Sequence, residues 1–214
     1  MKIIRFFGFM LTAVVMTFAM TACGGDSDDD NGGSSGGGGG GNPSEWDSRL
    51  TSVIPAKYLN ELKGYITIYE GDTPPNIEGL FLMKPLSLVK DSYDATIAEQ
   101  APMYFEFSDQ NTSKNTVRLR LEQNKATGSA YGAYICGSGS NFTVFLGISG
   151  EDGNYWWKIG TVLSGTMTSN GIQNLRYAFV MLDNNDPKEE KIMKPGRWRV
   201  WKDGDGMSEF TSWP

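Results

Sequence analysis

The 214-residue sequence contains no histidine. This absence excludes a serine–histidine relay and a histidine-ligated zinc site, so an enzyme built from this chain would need paired carboxylates or a lysine-activated nucleophile. Glu106 and Glu122 are candidates for such a pair, because they fall on the outward faces of two predicted neighbouring strands. No motif distinguishes them from the other acids, and exposed glutamates on a sheet are ordinarily solvated. We therefore predict no catalytic residue and no cofactor.

Cysteine is also scarce, since the chain has only Cys23 and Cys136. Cys23 is the predicted lipidation site described below, which leaves Cys136 without an intramolecular disulfide partner. We expect Cys136 to lie in the core of a strand as a small hydrophobic residue, since a reactive thiol would lack its usual histidine partner.

The sequence has one long apolar run, and it lies at the front of the chain. The run extends from Phe6 to Met20, is interrupted only by Thr12 and Thr17, and follows the basic residues Lys2 and Arg5. This is the pattern of a secretory signal peptide, and the run is too short for a membrane-spanning helix. We assign residues 1–22 to this signal peptide.

The signal peptide ends in the sequence MTAC, which resembles a bacterial lipobox. Small residues precede Cys23, the cysteine that would carry the acyl chains after cleavage. An ordinary cleaved signal with Cys23 near the cut is the alternative. Each buried acyl methylene contributes about 0.8 kcal/mol, so two or three long chains would hold the protein firmly on a membrane.

Residues 23–42 form an acidic and glycine-rich tether. The acidic cluster contains Asp26, Asp28, Asp29 and Asp30, and it resembles the surface-export signal of lipoproteins in gut-dwelling Gram-negative anaerobes. This resemblance implies an outer-membrane lipoprotein exposed on the cell surface; a merely solvating charge run, on a lipoprotein that faces the periplasm, is the alternative. The following glycines cannot order themselves and give the tether a reach of about 25 Å.

Basic residues are too few for a nucleic-acid-binding protein. Two of the 19 basic residues lie in the signal peptide and four of the 25 acidic ones lie in the tether, so the remaining chain has a formal charge of −4. A domain that binds nucleic acid is expected to carry a basic stripe. We predict no nucleic-acid partner.

Residues 43–214 are predicted to form a single all-β domain that follows one short helix. The helix is expected after Pro55, and Gly64 ends it. From Tyr65 onward, runs of β-branched and aromatic residues separated by turn formers predict nine to eleven strands, including PMYFEFSD and NTVRLRLEQ. An antiparallel meander of this length closes as a barrel or folds into a two-sheet sandwich, and we favour the barrel.

Several later strands are apolar on both faces. Phe145 points away from the other apolar residues of NFTVFLGIS, and both faces of LRYAFVMLD are apolar. Such strands are covered on both sides or present one face to a ligand; we favour covering by the helix, by loops or by a second sheet. Gly128, Gly132, Gly137 and Gly139 predict bulges or close backbone approach.

A resemblance to known proteins is carried by the segment IPAKYLNELKGYITIYEGDTPPNIEGLFL and by the later motifs NFTVFL, VLSGTMTSNGI and YAFVMLD. These motifs resemble a set of surface lipoproteins from the same anaerobes. The order of a helix, a Gly79-Leu80-Phe81 strand and a long meander is also similar in outline to barrels of the lipocalin or calycin type. The resemblance implies an address and a fold, but no activity.

Aromatic residues flanked by arginine are the leading candidates for a ligand site. Trp156 and Trp157 are adjacent and must point to opposite faces of their strand, while Trp201 shares a strand face with Arg197 and Arg199. Flat indole faces beside hydrogen-bonding groups suit sugar rings or amphipathic molecules. The alternative is that the arginines simply pack against Trp201 and that Trp156 covers a neighbouring strand.

Two acidic turns resemble calcium ligands in composition. They are the sequences Asp203-Gly204-Asp205-Gly206 and Asp183-Asn184-Asn185-Asp186. Aspartate, asparagine and glycine are also the residues that tight turns require, and Asp203 to Gly206 lacks the distal glutamate of a calcium loop. We therefore predict no metal site.

Three functions remain, in order of preference. The first is a non-catalytic binding module for a glycan or a small amphipathic ligand. The second is a structural or adhesive envelope protein that contacts other proteins. The third is a carboxylate-based hydrolase. A cavity lined by tryptophan and tyrosine would favour the first, a filled core with an exposed flat edge the second, and facing carboxylates in a cleft the third.

Overall fold

A computed structural model describes residues 46–214, apart from residues 99, 125, 153, 187 and 189–191. Over this part of the chain it contains two short helices and ten strands. The helices are α1 (Ser48–Thr51) and α2 (Ala56–Leu62). The strands are β1 (Gly79–Met83), β2 (Leu86–Asp91), β3 (Met103–Asn111), β4 (Thr116–Gln123), β5 (Ala126–Ser138), β6 (Asn141–Asp152), β7 (Tyr155–Thr168), β8 (Gly171–Asn184), β9 (Trp198–Asp203) and β10 (Met207–Phe210). The predicted signal peptide, Cys23 and the tether lie outside the described residues.

The strands form one antiparallel sheet that closes on itself. Strands β3 to β8 pair in sequence order, β1 pairs with β3, and the ring is completed where β10 pairs with both β1 and β8. Strands β1 and β2 are separated only by Lys84 and Pro85, and β2 pairs with β9 in the way that β1 pairs with β10. The predicted barrel is confirmed.

Residues along each strand point alternately into and out of the barrel, and the inward-facing side chains fill its interior. In β3, buried and half-buried residues alternate from Met103 to Phe107, and β4 repeats the pattern from Val117 to Leu121. The closed ring contains eight strands, namely β1, β3 to β8 and β10. A barrel of eight strands has an interior just wide enough for side chains or for one small ligand. Here large aromatic side chains occupy it: Phe81, Phe105, Phe107, Phe142, Tyr177, Phe179 and Trp201.

The helices cover the outside of β5 to β9, which explains why these strands are apolar on both faces. Leu50, Ile54, Leu59 and Leu62 form a second cluster with outward-facing residues that include Phe145. The other strand residues of this cluster are Cys136, Val162, Ala178, Val180, Trp198 and Val200. The predicted covering by the helix is confirmed, although the helices lie on the barrel wall and not across one end of the sheet.

Gly160 allows this close approach. A β-carbon at this position would lie 2.5 Å from the Ile54 side chain and 2.7 Å from the Val53 carbonyl oxygen. Glycine in the interior of a strand often marks such a place, where another backbone passes over the sheet.

The segment from Tyr65 to Glu70 was predicted to be a strand, but it runs outside the barrel without joining the sheet. Its backbone instead bonds to side chains of the wall beneath it: the Tyr69 amide donates to Thr143 Oγ1 at 2.8 Å, and the Thr67 and Tyr65 carbonyls accept from Ser164 and Arg176. Alternation in sequence cannot distinguish such a segment from a strand, because Ile66 and Ile68 pack against the barrel wall as alternate residues of a strand would.

Candidate functional site

Trp156 and Trp157 lie at the start of β7 and point to opposite faces, as predicted. Trp157 is half-buried against the interior, and its ring covers Gly150 on β6, where a β-carbon would overlap the indole. Trp156 faces outward and is 41% exposed. Its amide donates to Asn185 Oδ1 at 2.7 Å, and its carbonyl accepts from the Asn185 amide at 3.2 Å. The backbone of Trp156 is therefore held in place while its ring remains accessible.

Trp201 does not share the exposure of Trp156. It lies inside the barrel between Leu88 and Tyr177, its register partners on β2 and β8, and is only 5% exposed. An indole enclosed in this way has no face on which a ligand can stack. The structure assigns Trp201 to the core and not to a site.

Arg197 and Arg199 share the inner side of the strand with Trp201, and they bind a single buried carboxylate. Arg199 Nε donates to Asp91 Oδ2 at 2.7 Å, and Arg197 donates to Asp91 Oδ1 at 3.4 Å. The amide of Tyr93 also donates to Asp91, and the ring of Tyr93 lies 4.0 Å from the Arg197 guanidinium. The Asp91 side chain is fully buried, so this cluster fixes β2 to β9.

The pKa of Asp91 shows that the cluster favours the charged carboxylate. Burial raises this pKa, but the hydrogen bonds from Arg199 and from the Tyr93 amide outweigh burial and lower it below its usual value. The two arginines are thus committed to a structural ion cluster, which the sequence could not indicate because Asp91 lies more than 100 positions earlier in the chain.

Cys136 is buried in the outer cluster, as predicted. Its Sγ donates to the Tyr69 carbonyl at 3.2 Å, and burial raises the pKa of the thiol to about 12. A thiol with such a pKa is almost entirely protonated at neutral pH and has little nucleophilic thiolate.

The aspartates of the two acidic turns serve the backbone. Asp203 is buried and accepts from the Ser208 hydroxyl at 2.7 Å and from the Lys84 amide at 3.3 Å, while Asp205 accepts from the Met207 amide. In the other turn Asp183 accepts from the amide of Asn184, and Asp186 accepts from the amide of Ile192 at 2.8 Å. Among the described residues, no group of three or more acidic or cysteine side chains is arranged to hold a metal ion.

An open recess of about 190 Å³ lies beside Asp203 and Asp205, lined also by Asn174 and Lys202. Burial, together with the hydrogen bond and charge of Asp205, raises the pKa of Asp203 to about 6, against a smaller lowering by Ser208. The folded chain therefore binds a proton that the unfolded chain has already lost, so stability decreases as the pH rises from about 4 to about 6.

Replacing Asp205 tests this effect. We expect Asp205→Asn to be more stable than the wild type at pH 7 by about 1–2 kcal/mol, because it removes the repulsion at Asp203, and to match it near pH 4. The asparagine keeps the oxygen that accepts from Met207. Urea unfolding at the two pH values measures the difference. Asp183 is an exposed acid that also accepts from a neighbouring amide, so Asp183→Asn is the control. An equal difference in stability between Asp205→Asn and the wild type at both pH values would contradict the prediction.

Glu106 and Glu122 lie on the outer face of β3 and β4, as predicted, but each faces another side chain. Glu106 is the register partner of Arg120, and Glu122 is the partner of Tyr104. Glu122 also pairs with Arg120 at 3.2 Å. This arrangement is an ion pair on a sheet surface, not two carboxyl groups held across a substrate.

The same outer face carries a set of aromatic and arginine side chains that sequence reasoning missed. We call it the aromatic–arginine strip and define it as Tyr104, Arg118, Arg120, Tyr131 and Trp213. The Arg118 guanidinium lies 4.5 Å from the ring centroid of Tyr131, and the Arg120 guanidinium lies 4.0 Å from that of Trp213. Trp213 in turn contacts Tyr104 at a centroid distance of 5.8 Å.

A β-bulge presents Tyr131 to solvent. Leu119 pairs with Ala130 and Val117 with Ala133, so Tyr131 and Gly132 together face Arg118. Gly132 has a φ of +66°, a conformation that favours glycine, and Tyr131 is 62% exposed. The predicted bulge at Gly132 is confirmed. This glycine was the sequence feature that could have indicated the exposed position of Tyr131.

Trp213 reaches the strip because β10 ends early. This strand ends at Phe210, and the last residues cross the outside of the barrel. The Thr211 amide donates to the Leu80 carbonyl at 3.0 Å, which directs the chain towards β3. Position 213 therefore lies over the outer face of β3 and β4.

Within the described residues, no helix is both long and apolar enough to cross a membrane. Comparison of the chain with protein-family models, with curated proteins and with solved structures found no match. The geometry of the chain itself is therefore the basis for a functional assignment.

Proposed function

We propose that this chain is a lipid-anchored envelope protein whose β domain is a non-catalytic binding module for a glycan or a small amphipathic ligand. The ligand binds on the outside of the barrel. One observation supports this proposal: the helices cover the outer wall at β5 to β9, whereas beside β3 and β4 the exposed ring of Tyr131 and the half-buried ring of Trp213 stack on arginines of β4.

The proposal locates the ligand outside because the barrel interior is occupied. Aromatic side chains from opposite walls meet across it, such as Phe105 and Tyr177, whose ring centroids are 5.6 Å apart. A ligand inside would have to displace several of these rings, each contributing about 1.5–3 kcal/mol by burial. Exposed rings have no such cost to overcome.

The filled interior also supports the second candidate, an adhesive envelope protein that binds other proteins. Tyrosine, tryptophan and arginine are enriched at the energetic centres of protein interfaces. The small size of the strip favours a ligand instead.

The proposed localisation follows from the N-terminal residues. We propose that Cys23 anchors the protein in the outer membrane and that the acidic tether holds the domain at the cell surface, with a periplasm-facing domain as the alternative. Labelling of the full chain with a radioactive fatty acid tests the anchor. We expect label in the wild type and none in Cys23→Ala, and a wild type without label would contradict the proposal.

The binding module is tested by titrating tryptophan fluorescence. We expect the full chain carrying Cys23→Ala, which has no acyl chains to interfere, to show a saturable change with at least one member of a panel of polysaccharides or of fatty acids and other amphipathic compounds. Trp213 of the aromatic–arginine strip is the expected reporter. A panel without any saturable change would contradict the proposal and favour a protein partner.

A further inference from the structure

We infer that the aromatic–arginine strip is a binding platform for an uncharged polysaccharide, with sugar rings stacked on Tyr131 and Trp213. This inference rests on the proposed binding function and assigns it a site and a ligand class. Neither Tyr131 nor Trp213 is among the tryptophans and arginines that the sequence selected.

The arginines of the strip orient its aromatic rings. Arg118 stacks on Tyr131, and Arg120 stacks on Trp213. Stacking of this kind orients each ring and reduces the conformational freedom that binding would otherwise have to remove. Tyr131 nevertheless remains 62% exposed, so its ring is held in place and accessible at once.

The positive charges of the strip are already balanced by carboxylates. Arg120 pairs with Glu122 at 3.2 Å, and Arg118 lies 3.8 Å from Asp109. An anionic ligand would have to compete with these carboxylates. An uncharged polyhydroxyl chain would not, because arginines donate and carboxylates accept hydrogen bonds with the same hydroxyl groups.

The strip is small. It spans β3 to β5, which is two strand spacings of roughly 4.8 Å or about 10 Å, with the C-terminal segment lying over β3 and β4. Along the strands it extends from Arg118 to Tyr104, the register partner of Glu122, which is about 13 Å at roughly 3.3 Å per residue. The resulting area is about 130 Å², whereas a specific protein interface takes about 800 Å² from each partner. The strip therefore matches a few sugar rings better than a protein surface.

The chain provides matched controls for a test. Tyr93 is 59% exposed and stacks on Arg197 at 4.0 Å, so it repeats the tyrosine–arginine pair outside the strip. Trp156 is an exposed tryptophan on a different part of the barrel. Tyr93→Ala and Trp156→Ala are therefore the controls for Tyr131→Ala and Trp213→Ala.

The experiment is calorimetric titration of the full chain carrying Cys23→Ala with a soluble glucan, mannan, xylan and galactan, and with polygalacturonate as the anionic probe. We expect at least one neutral polysaccharide to bind. Tyr131→Ala and Trp213→Ala should each weaken that binding about fivefold to tenfold, while the two controls should change it less than about twofold. Near-ultraviolet circular dichroism verifies that each variant is folded.

Five outcomes would overturn the inference. Neutral glycan binding that is lost in Trp156→Ala but kept in the strip variants would place the site elsewhere and leave the binding function standing. Preference for polygalacturonate would refute the uncharged ligand. Self-association that Tyr131→Ala abolishes would make a second copy the occupant. Binding of fatty acids alone would retain the proposed function without this site, whereas the failure of all probes would remove both.

Discussion

Replacement of Asp91 by alanine is expected to destabilise the domain by about 3–5 kcal/mol, because it removes the carboxylate shared by the buried Arg199 and the half-buried Arg197. Asp91 is fully buried and accepts hydrogen bonds from Arg199, from Arg197 and from the Tyr93 amide. A loss of this size is a large fraction of the 5–15 kcal/mol by which domains are typically stable. Urea unfolding at pH 7 measures it.

Asp94 provides the control for this substitution. It lies three positions further along the chain, where it is exposed and pairs with Lys90. Exposed ion pairs contribute about 0–1 kcal/mol, and asparagine tolerates the φ of +54° at this position, so Asp94→Asn should have little effect. A loss in Asp91→Ala no larger than that in Asp94→Asn would show that the cluster does not hold β2 to β9.

The effect of Asp91 should also depend on pH, in the direction opposite to that of Asp203. The pKa of Asp91 is lowered in the folded chain, so its contribution to stability is fully present above the ordinary value of 3.8 and is lost as the pH falls below it. The difference between wild type and Asp91→Ala should therefore be constant at neutral pH and shrink in acid.

Much of the barrel could be predicted from alternation alone. The inward positions of Met103, Phe105 and Phe107 follow from period-two burial, and the double-faced apolar pattern around Phe145 correctly indicated a covered outer wall. These features depend on neighbours within one strand, which is what a sequence window reports.

The candidate site could be predicted far less well, because it depends on contacts between distant segments. The face shared by Trp201, Arg197 and Arg199 was correctly inferred, but two arginines indicate an outward face unless a buried acid is known to meet them. That acid, Asp91, comes from β2. Trp213 likewise joins Tyr104 and Arg120 only because the chain turns after Phe210.

Replacement of Phe105 by alanine is expected to cost about 3–5 kcal/mol and to open a cavity inside the barrel. Phe105 is fully buried, is the register partner of Phe81 and Leu121, and contacts Tyr177 from the opposite wall. Phe210→Ala is the control, since this ring contacts Phe81 but is 47% exposed, and it should cost about 1 kcal/mol.

The same variant tests whether the interior is available to a ligand. An apolar cavity made by such a truncation stays dry and binds small aromatic molecules. Benzene at ten times its dissociation constant should therefore restore about 1.4 kcal/mol of stability to Phe105→Ala and nothing to the wild type. If benzene stabilised both proteins equally, the wild-type interior would already hold an accessible cavity. The ligand would then belong inside the barrel, near Trp157, and not on the strip.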